Sequence, residues 1–141
     1  MSVRALLSKS IVTEIHREAV SRFGGSHGIR DEGILDASLS QPWQAFEGTE
    51  LYPGDVAKVC RLAYGIITNH PFLDGNKRTG AAVLGAGLRL CGYRFSPDPD
   101  DFLNAMFGVA QGMMGFEELV AWVRVNVEPE MKRWGRALNE R

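Results

Sequence analysis

Apolar positions along this chain recur mostly at intervals of three and four residues, which predicts a succession of helices. "SIVTEIHREAVSRFG" (10–24) predicts the first. Ser10 or Thr13 starts it, Ile11, Ile15, Val20 and Phe23 lie near one face, and Gly24-Gly25 ends it. His16 falls among Glu14, Arg17 and Glu18 and is expected on a solvated face. "SHGIRDEGILDASLSQP" (26–42) predicts a second helix, with Asp31 as N-cap, Ile34, Leu35 and Leu39 as its apolar face, and Pro42 as its stop. "WQAFEGTELYPGD" (43–55) has the mixed polarity, Gly and Pro of a loop or short hairpin.

"GDVAKVCRLAYGIITNH" (54–70) is apolar nearly all round. Asp55, Lys58 and Arg61, spaced by three, form one narrow stripe, so this is a mostly buried helix whose stripe is solvated or contacts a target. "KRTGAAVLGAGLRLCG" (77–92) is again apolar. A helical glycine costs about 1 kcal/mol relative to alanine, so Gly80, Gly85 and Gly87 suggest close helix–helix approach, and Gly92 is a natural stop. "SPDPDDFLNAMFGVAQG" and "GFEELVAWVRVNV" predict two more helices, and "PEMKRWGRALNE", interrupted by Gly135, a weaker last one. "GYRFSP" is the best strand candidate. The pattern predicts an all-α bundle with one small hairpin, as a single domain over residues 1–141.

Composition narrows the function classes. At 141 residues and 45% apolar content the chain can build a core, and its formal charge of −1 demotes general nucleic-acid binding. No basic recognition helix stands out, and no stretch reads as a signal peptide or membrane span, so a cytoplasmic protein is expected. Cys60 and Cys91 lie in apolar runs with no CxxC spacing, as buried reduced thiols would. Met106, Phe107, Met113 and Met114 are core or a partner groove, and Trp122 and Trp134 are packing residues.

One stretch does not fit a purely structural reading. "HPFLDGNKRTG" (70–80) packs His, Asp, Asn, Lys and Arg between two apolar helices. Asp74-Gly75-Asn76 is turn chemistry, and the helix that follows presents unpaired N–H groups and the positive end of a dipole. Gly75 permits close backbone approach, and Lys77 and Arg78 add two cations, so the place suits an anion and most naturally a phosphate. Imidazole is the side chain suited to general-base work near neutral pH, which fits His70, and Asp74 offers a hard oxygen ligand for Mg²⁺. The set fits transfer from a nucleotide to a hydroxyl. It is not a P-loop, whose GxxxxGK[ST] spacing is missing. Nor is "LGAGLRLCG" a dinucleotide fingerprint, because Leu90 stands where the third glycine belongs.

"HPFLDGNKRTG" resembles the signature of the Fic/Doc family, HxFx(D/E)GNxR. His70, Phe72, Asp74, Gly75, Asn76 and Arg78 match it, six constrained positions in nine residues. "GSHGIRDEGILDASLSQPWQAF" resembles the segment preceding this motif in death-on-curing (Doc) toxins, and the resemblance covers residues 10 to 95. It implies a helical fold with the motif loop between two central helices. It further implies that His70 deprotonates a target hydroxyl, that Asp74 holds Mg²⁺, and that Gly75, Asn76, Lys77 and Arg78 serve the nucleotide phosphates. Phe72 would anchor the loop, and residues 43–52 would form a flap that aligns the target segment by main-chain pairing.

AMP-transferring Fic enzymes carry HxFxxGNGRxxR. Here Lys77 replaces the second glycine and Ala81 the last arginine. Doc toxins share both departures, so the resemblance implies an inverted ATP, phosphorylation of a protein, and elongation factor Tu as target. AMP transfer is the rival reading, since Gly75-Asn76 is intact; a catalytically inert helical binding module is the third. Fic proteins are silenced by a helix bearing (S/T)xxxE(G/N). The only pairs of this kind, Glu32-Gly33 and Glu47-Gly48, have Gly28 and Trp43 at the Ser/Thr position. A separate Phd-type antitoxin is therefore expected, with any contact to DNA made through that partner.

Overall fold

The computed structural model describes residues 3–129. The final predicted helix, with Trp134, lies outside the described residues apart from its first residue. The fold is all-α with short strands. Its elements are α1 (Val3–Leu6), α2 (Lys9–Phe23), α3 (Glu32–Ser40), a 3₁₀ turn (Gln41–Trp43), β1 (Ala45–Phe46), β2 (Thr49–Glu50), α4 (Asp55–Asn69), α5 (Asn76–Leu90), β3 (Tyr93–Phe95), α6 (Pro99–Ala110), α7 (Phe116–Val125) and β4 (Val127–Pro129). Among the described residues no helix is long and apolar enough to cross a membrane.

α4 is the central element. Val56, Val59, Cys60, Leu62, Ala63, Ile66 and Ile67 are all buried, and they point to several sides because α3, α5, α6 and α7 pack around the helix. Each fully buried Leu, Ile or Val contributes about 1.5–3 kcal/mol, so α4 is the main apolar anchor of the domain. α5 lies against it at close range. A Cβ on Gly80 would sit 2.3 Å from Ile67 Cγ1 and 3.1 Å from the Ala63 carbonyl oxygen, and one on Gly87 would sit 2.9 Å from Val59 Cγ1. The expected close approach is therefore real at Gly80 and Gly87. It is absent at Gly85, where an added Cβ meets only the Arg89 guanidinium at 3.5 Å.

Three expectations are corrected on the flanks. α2 starts earlier than expected, because the Ser8 hydroxyl caps it by accepting from the Ile11 N–H at 3.4 Å. Its buried face is Val12, His16 and Val20, four apart, while Ile11 and Ile15 are half-buried and Phe23 is exposed. The Lys58–Arg61 stripe is not solvated. Lys58 is 5% exposed: its ammonium donates to the Tyr52 carbonyl, pairs with Glu50 at 3.0 Å and lies 5.5 Å from the Trp43 ring centre. The Arg61 guanidinium sits among the rings of Tyr52, Tyr64 and Phe116. The connector folds back over this face and supplies the acceptors that let a lysine be buried.

The connector itself forms the expected hairpin. Ala45 pairs with Glu50 and Phe46 with Thr49, and the turn residues Glu47 and Gly48 both have positive φ, the mirror-image turn that suits two-residue hairpins. "GYRFSP" supplies β3, which pairs antiparallel with β4 as a second small sheet. Trp122 packs edge-on against Phe95 and Phe102 and donates to Asp101 at 3.1 Å, as a packing residue should. Met106 is core, whereas Phe107 and Met113 are exposed.

Cys60 is buried and Cys91 half-buried; both are free. Desolvation pushes the Cys60 thiol up to about 12, and desolvation followed by Asp55 pushes Cys91 up to about 11. Both should resist alkylation at pH 8 in the native protein and react readily in urea, because the thiolate is the reactive form.

Gly80→Ala should destabilise the protein by about 1–3 kcal/mol in urea denaturation, since the new methyl overlaps Ile67 and the Ala63 carbonyl. Gly85→Ala should instead stabilise it by roughly 0.5–1 kcal/mol, the ordinary gain of replacing a helical glycine.

Candidate functional site

The site is the turn between α4 and α5. α4 ends at His70, whose backbone is left-handed (φ 53°, ψ 58°), a rare conformation for a residue with a side chain. Two groups hold it there. The His70 N–H donates to the Ile66 carbonyl at 3.3 Å, and the Arg30 side chain caps the helix end, with Nε donating to the His70 carbonyl at 2.6 Å and an Nη to the Asn69 carbonyl at 3.0 Å. A strained residue over-determined by its surroundings is a mark of functional loops. The effect is to turn an exposed imidazole out of the helix line.

After His70 the chain dives into the core. Phe72 is 1% exposed, and its backbone is clamped by the Asn76 side chain: the Phe72 N–H donates to Asn76 Oδ1 and Asn76 Nδ2 donates to the Phe72 carbonyl, both at 3.0 Å. The segment before α3 runs antiparallel alongside. Ile29 bridges Phe72, the Leu73 N–H donates to the Gly28 carbonyl at 3.1 Å, and the Arg30 N–H donates to the Pro71 carbonyl at 2.8 Å. Asp31 caps α3 as expected, accepting from the Ile34 N–H at 3.0 Å.

Asp74 is exposed. Its Oδ1 accepts from the Gly75 N–H at 2.9 Å and its Oδ2 from the Ser26 N–H at 3.3 Å. Gly25 has a φ of 111°, which favours glycine, and an added Cβ would also sit 2.8 Å from Oδ2. Gly75 is left-handed (φ 73°) and opens α5. Among the described residues, no partner accepts from the N–H groups of Asn76, Lys77 and Arg78, the usual orphans of a helix start. The first turn of α5 contains no acid and two cations, set against the helix dipole. Charge placed against a dipole is a local conflict that an anion resolves.

The predicted residues are thus brought together. His70, Asp74, Gly75, Asn76, Lys77 and Arg78 line one cleft of about 440 Å³, while Phe72 lies in the core beneath it. Two of them are used in ways the sequence does not reveal. The Asn76 carboxamide is committed to Phe72, so what it presents to the cleft is its backbone N–H. Arg78 is tethered, donating to the Phe23 carbonyl at 3.1 Å with its guanidinium 5.0 Å from the Phe23 ring centre. Lys77 reaches over Phe107, 5.8 Å from its ring centre.

No three His, Cys, Asp or Glu groups cluster among the described residues. Asp74 alone nevertheless fits Mg²⁺ of the kind that travels with phosphates, which takes one or two carboxylates and keeps waters. Each of its oxygens already accepts one N–H, which aims the carboxylate and leaves a second lone pair on each oxygen.

His16 was missed. It is 3% exposed, stacked on Phe72 with ring centres 3.9 Å apart, and its Nε2 lies 2.9 Å from the Asp74 carbonyl oxygen. The signal was its register with Val12 and Val20, which outweighs its charged neighbours.

Fold and candidate site together define a helical protein whose central helix–turn–helix presents an exposed imidazole beside a helix start with unpaired N–H groups. A sequence model of the Fic/DOC family matches residues 6–86, and the chain belongs to that family. A curated relative, the protein Toxin Doc of Mycolicibacterium smegmatis (strain ATCC 700084 / mc(2)155), is 36% identical over 78 residues, which are 55% of this chain and 60% of that protein. The match therefore spans less than two thirds of that relative's length.

Asn76→Ala should lower stability by about 1–3 kcal/mol for each Phe72 backbone group it leaves unpaired. Urea denaturation checks this, with the transition midpoint falling and the slope unchanged.

Proposed function

We propose that this chain is a Doc-like toxin that transfers a phosphoryl group from ATP to a hydroxyl of a target protein. The observation that carries the reading is the first turn of α5, where Lys77 and Arg78 stand beside free N–H groups and His70 faces the same cleft. The cytoplasmic target that the resemblance implies is elongation factor Tu, whose modification would arrest translation. A separate Phd-type antitoxin would restrain the toxin. The relative named Toxin Doc supports this branch of the family.

In this reading His70 accepts the proton of the target hydroxyl as its oxygen bonds to the γ-phosphorus. The bond from that phosphorus to the bridging oxygen breaks, and ADP leaves. The N–H groups of Asn76 to Arg78 receive the phosphate charge already oriented, and the Lys77 and Arg78 cations add to them. Asp74 would hold Mg²⁺, which when bound supplies charge neutralisation on the phosphate oxygens. The hairpin offers its exposed edge for main-chain pairing with the target segment. Lys77 and Ala81 support phosphoryl rather than AMP transfer: the first puts an ammonium where the signature of AMP-transferring members has no side chain, and the second leaves out a phosphate-binding arginine.

Elongation factor Tu incubated with the protein, ATP and Mg²⁺ should gain one phosphoryl mass by intact-mass analysis, and nothing with His70→Ala. An adenylyl adduct would overturn the phosphoryl assignment in favour of AMP transfer. An unmodified factor would remove it as the target.

A further inference from the structure

We propose that His16 is a positioning residue for the motif loop, acting through the peptide unit between Asp74 and Gly75. The Asp74 carbonyl can only accept, so His16 Nε2 carries the proton and donates to it at 2.9 Å. The N–H of that same peptide unit, on Gly75, donates to Asp74 Oδ1 at 2.9 Å. A peptide unit is planar, so fixing its carbonyl fixes its N–H. One buried imidazole thereby sets the direction of the Asp74 carboxylate and the turn at Gly75, from which the unpaired N–H groups of α5 follow.

The imidazole is itself well placed to do this. It is 3% exposed and stacks on Phe72 at an interplanar angle of 7°. Phe72 in turn is locked by Asn76. The ring also underlies Gly75, where an added Cβ would be 3.9 Å from His16 Cδ2 and Nε2. Stacking on Phe72 and donation to Asp74 are separable functions, and different side chains replace each of them. Phenylalanine keeps a ring on Phe72 and lacks the donor; glutamine keeps an N–H donor and lacks the ring.

The test uses the full chain with His16→Phe and His16→Gln, and its kinetic arm rests on the phosphoryl-transfer reading. At equal folded fraction, His16→Phe should lower kcat by roughly tenfold to a hundredfold, as small misplacements of catalytic groups do. KM for the target protein should stay unchanged, and His16→Gln should recover most of the rate. Independently of activity, the Gly75 amide cross-peak in a ¹⁵N–¹H spectrum should move in His16→Phe and return towards its native position in His16→Gln. Wild-type kcat and an unmoved Gly75 signal in His16→Phe would overturn the inference, as would a rate loss that only follows the unfolded fraction. If the wild-type protein modifies nothing, the phosphoryl-transfer reading fails, and the Gly75 signal alone decides the role of His16. Should His16→Gln not fold, the kcat-against-KM split in His16→Phe decides it.

Discussion

The two hydrogen bonds between the Asn76 carboxamide and the Phe72 backbone are the constraint on which the site depends. They close a tight loop whose apolar ring is sunk into the core and whose polar residues are left outside. Burying the Phe72 N–H and carbonyl in the core without partners costs several kcal/mol, and here one side chain satisfies both groups. The turn is therefore rigid without a regular helix or strand. His70 before it and Asp74 after it inherit that rigidity, although both are exposed.

Around this clamp the rest of the fold acts as a set of supports. Arg30 holds the end of α4, Ser26 holds one oxygen of Asp74, His16 holds its carbonyl, and the Phe23 carbonyl holds Arg78. All four supports come from α2 or the segment after it, far from the motif in sequence. α4, α5 and the turn between them carry the candidate site groups, and the earlier chain supplies their orientation. This division accounts for Gly25 and Gly28, which lie where the backbone of residues 25–28 comes within hydrogen-bonding distance of Asp74 and Leu73.

Much of this was legible in the sequence, for identifiable reasons. α4 and α5 announced themselves because their apolar periodicity is strong, and the hairpin and β3 because their turn and strand residues are local signals. Gly80 and Gly87 reported a packing distance directly. What stayed hidden were contacts between distant segments. Lys58 looked solvated because nothing local shows that the connector returns to bury it beneath Tyr52 and Glu50. His16 looked solvated because its sequence neighbours are charged, while its partners, Phe72 and Asp74, lie more than fifty residues away. Asn76 was legible as a motif residue but not as a clamp, since its spacing from Phe72 says nothing of which way the carboxamide turns.

Lys77 bears directly on how a nucleotide would lie in the proposed function. A glycine at this position would leave the helix start open on both sides, whereas a lysine adds a charge and a four-carbon stem. That stem leans towards Phe107 on α6, so the exposed ammonium lies to one side of the helix start. Phe107 is exposed, which an apolar ring on α6 would not be if its only function were to fill the core. The ring's negative face favours a cation beside it, a contribution of about 0.5–1 kcal/mol at an exposed site. This is enough to bias where the ammonium rests and too little to hold it against a phosphate. In the proposed function Lys77 would therefore be able to leave the α6 side and turn to meet a phosphate. In the proposed function the N–H groups of α5 would be a fixed anion site, and the lysine a movable charge beside it.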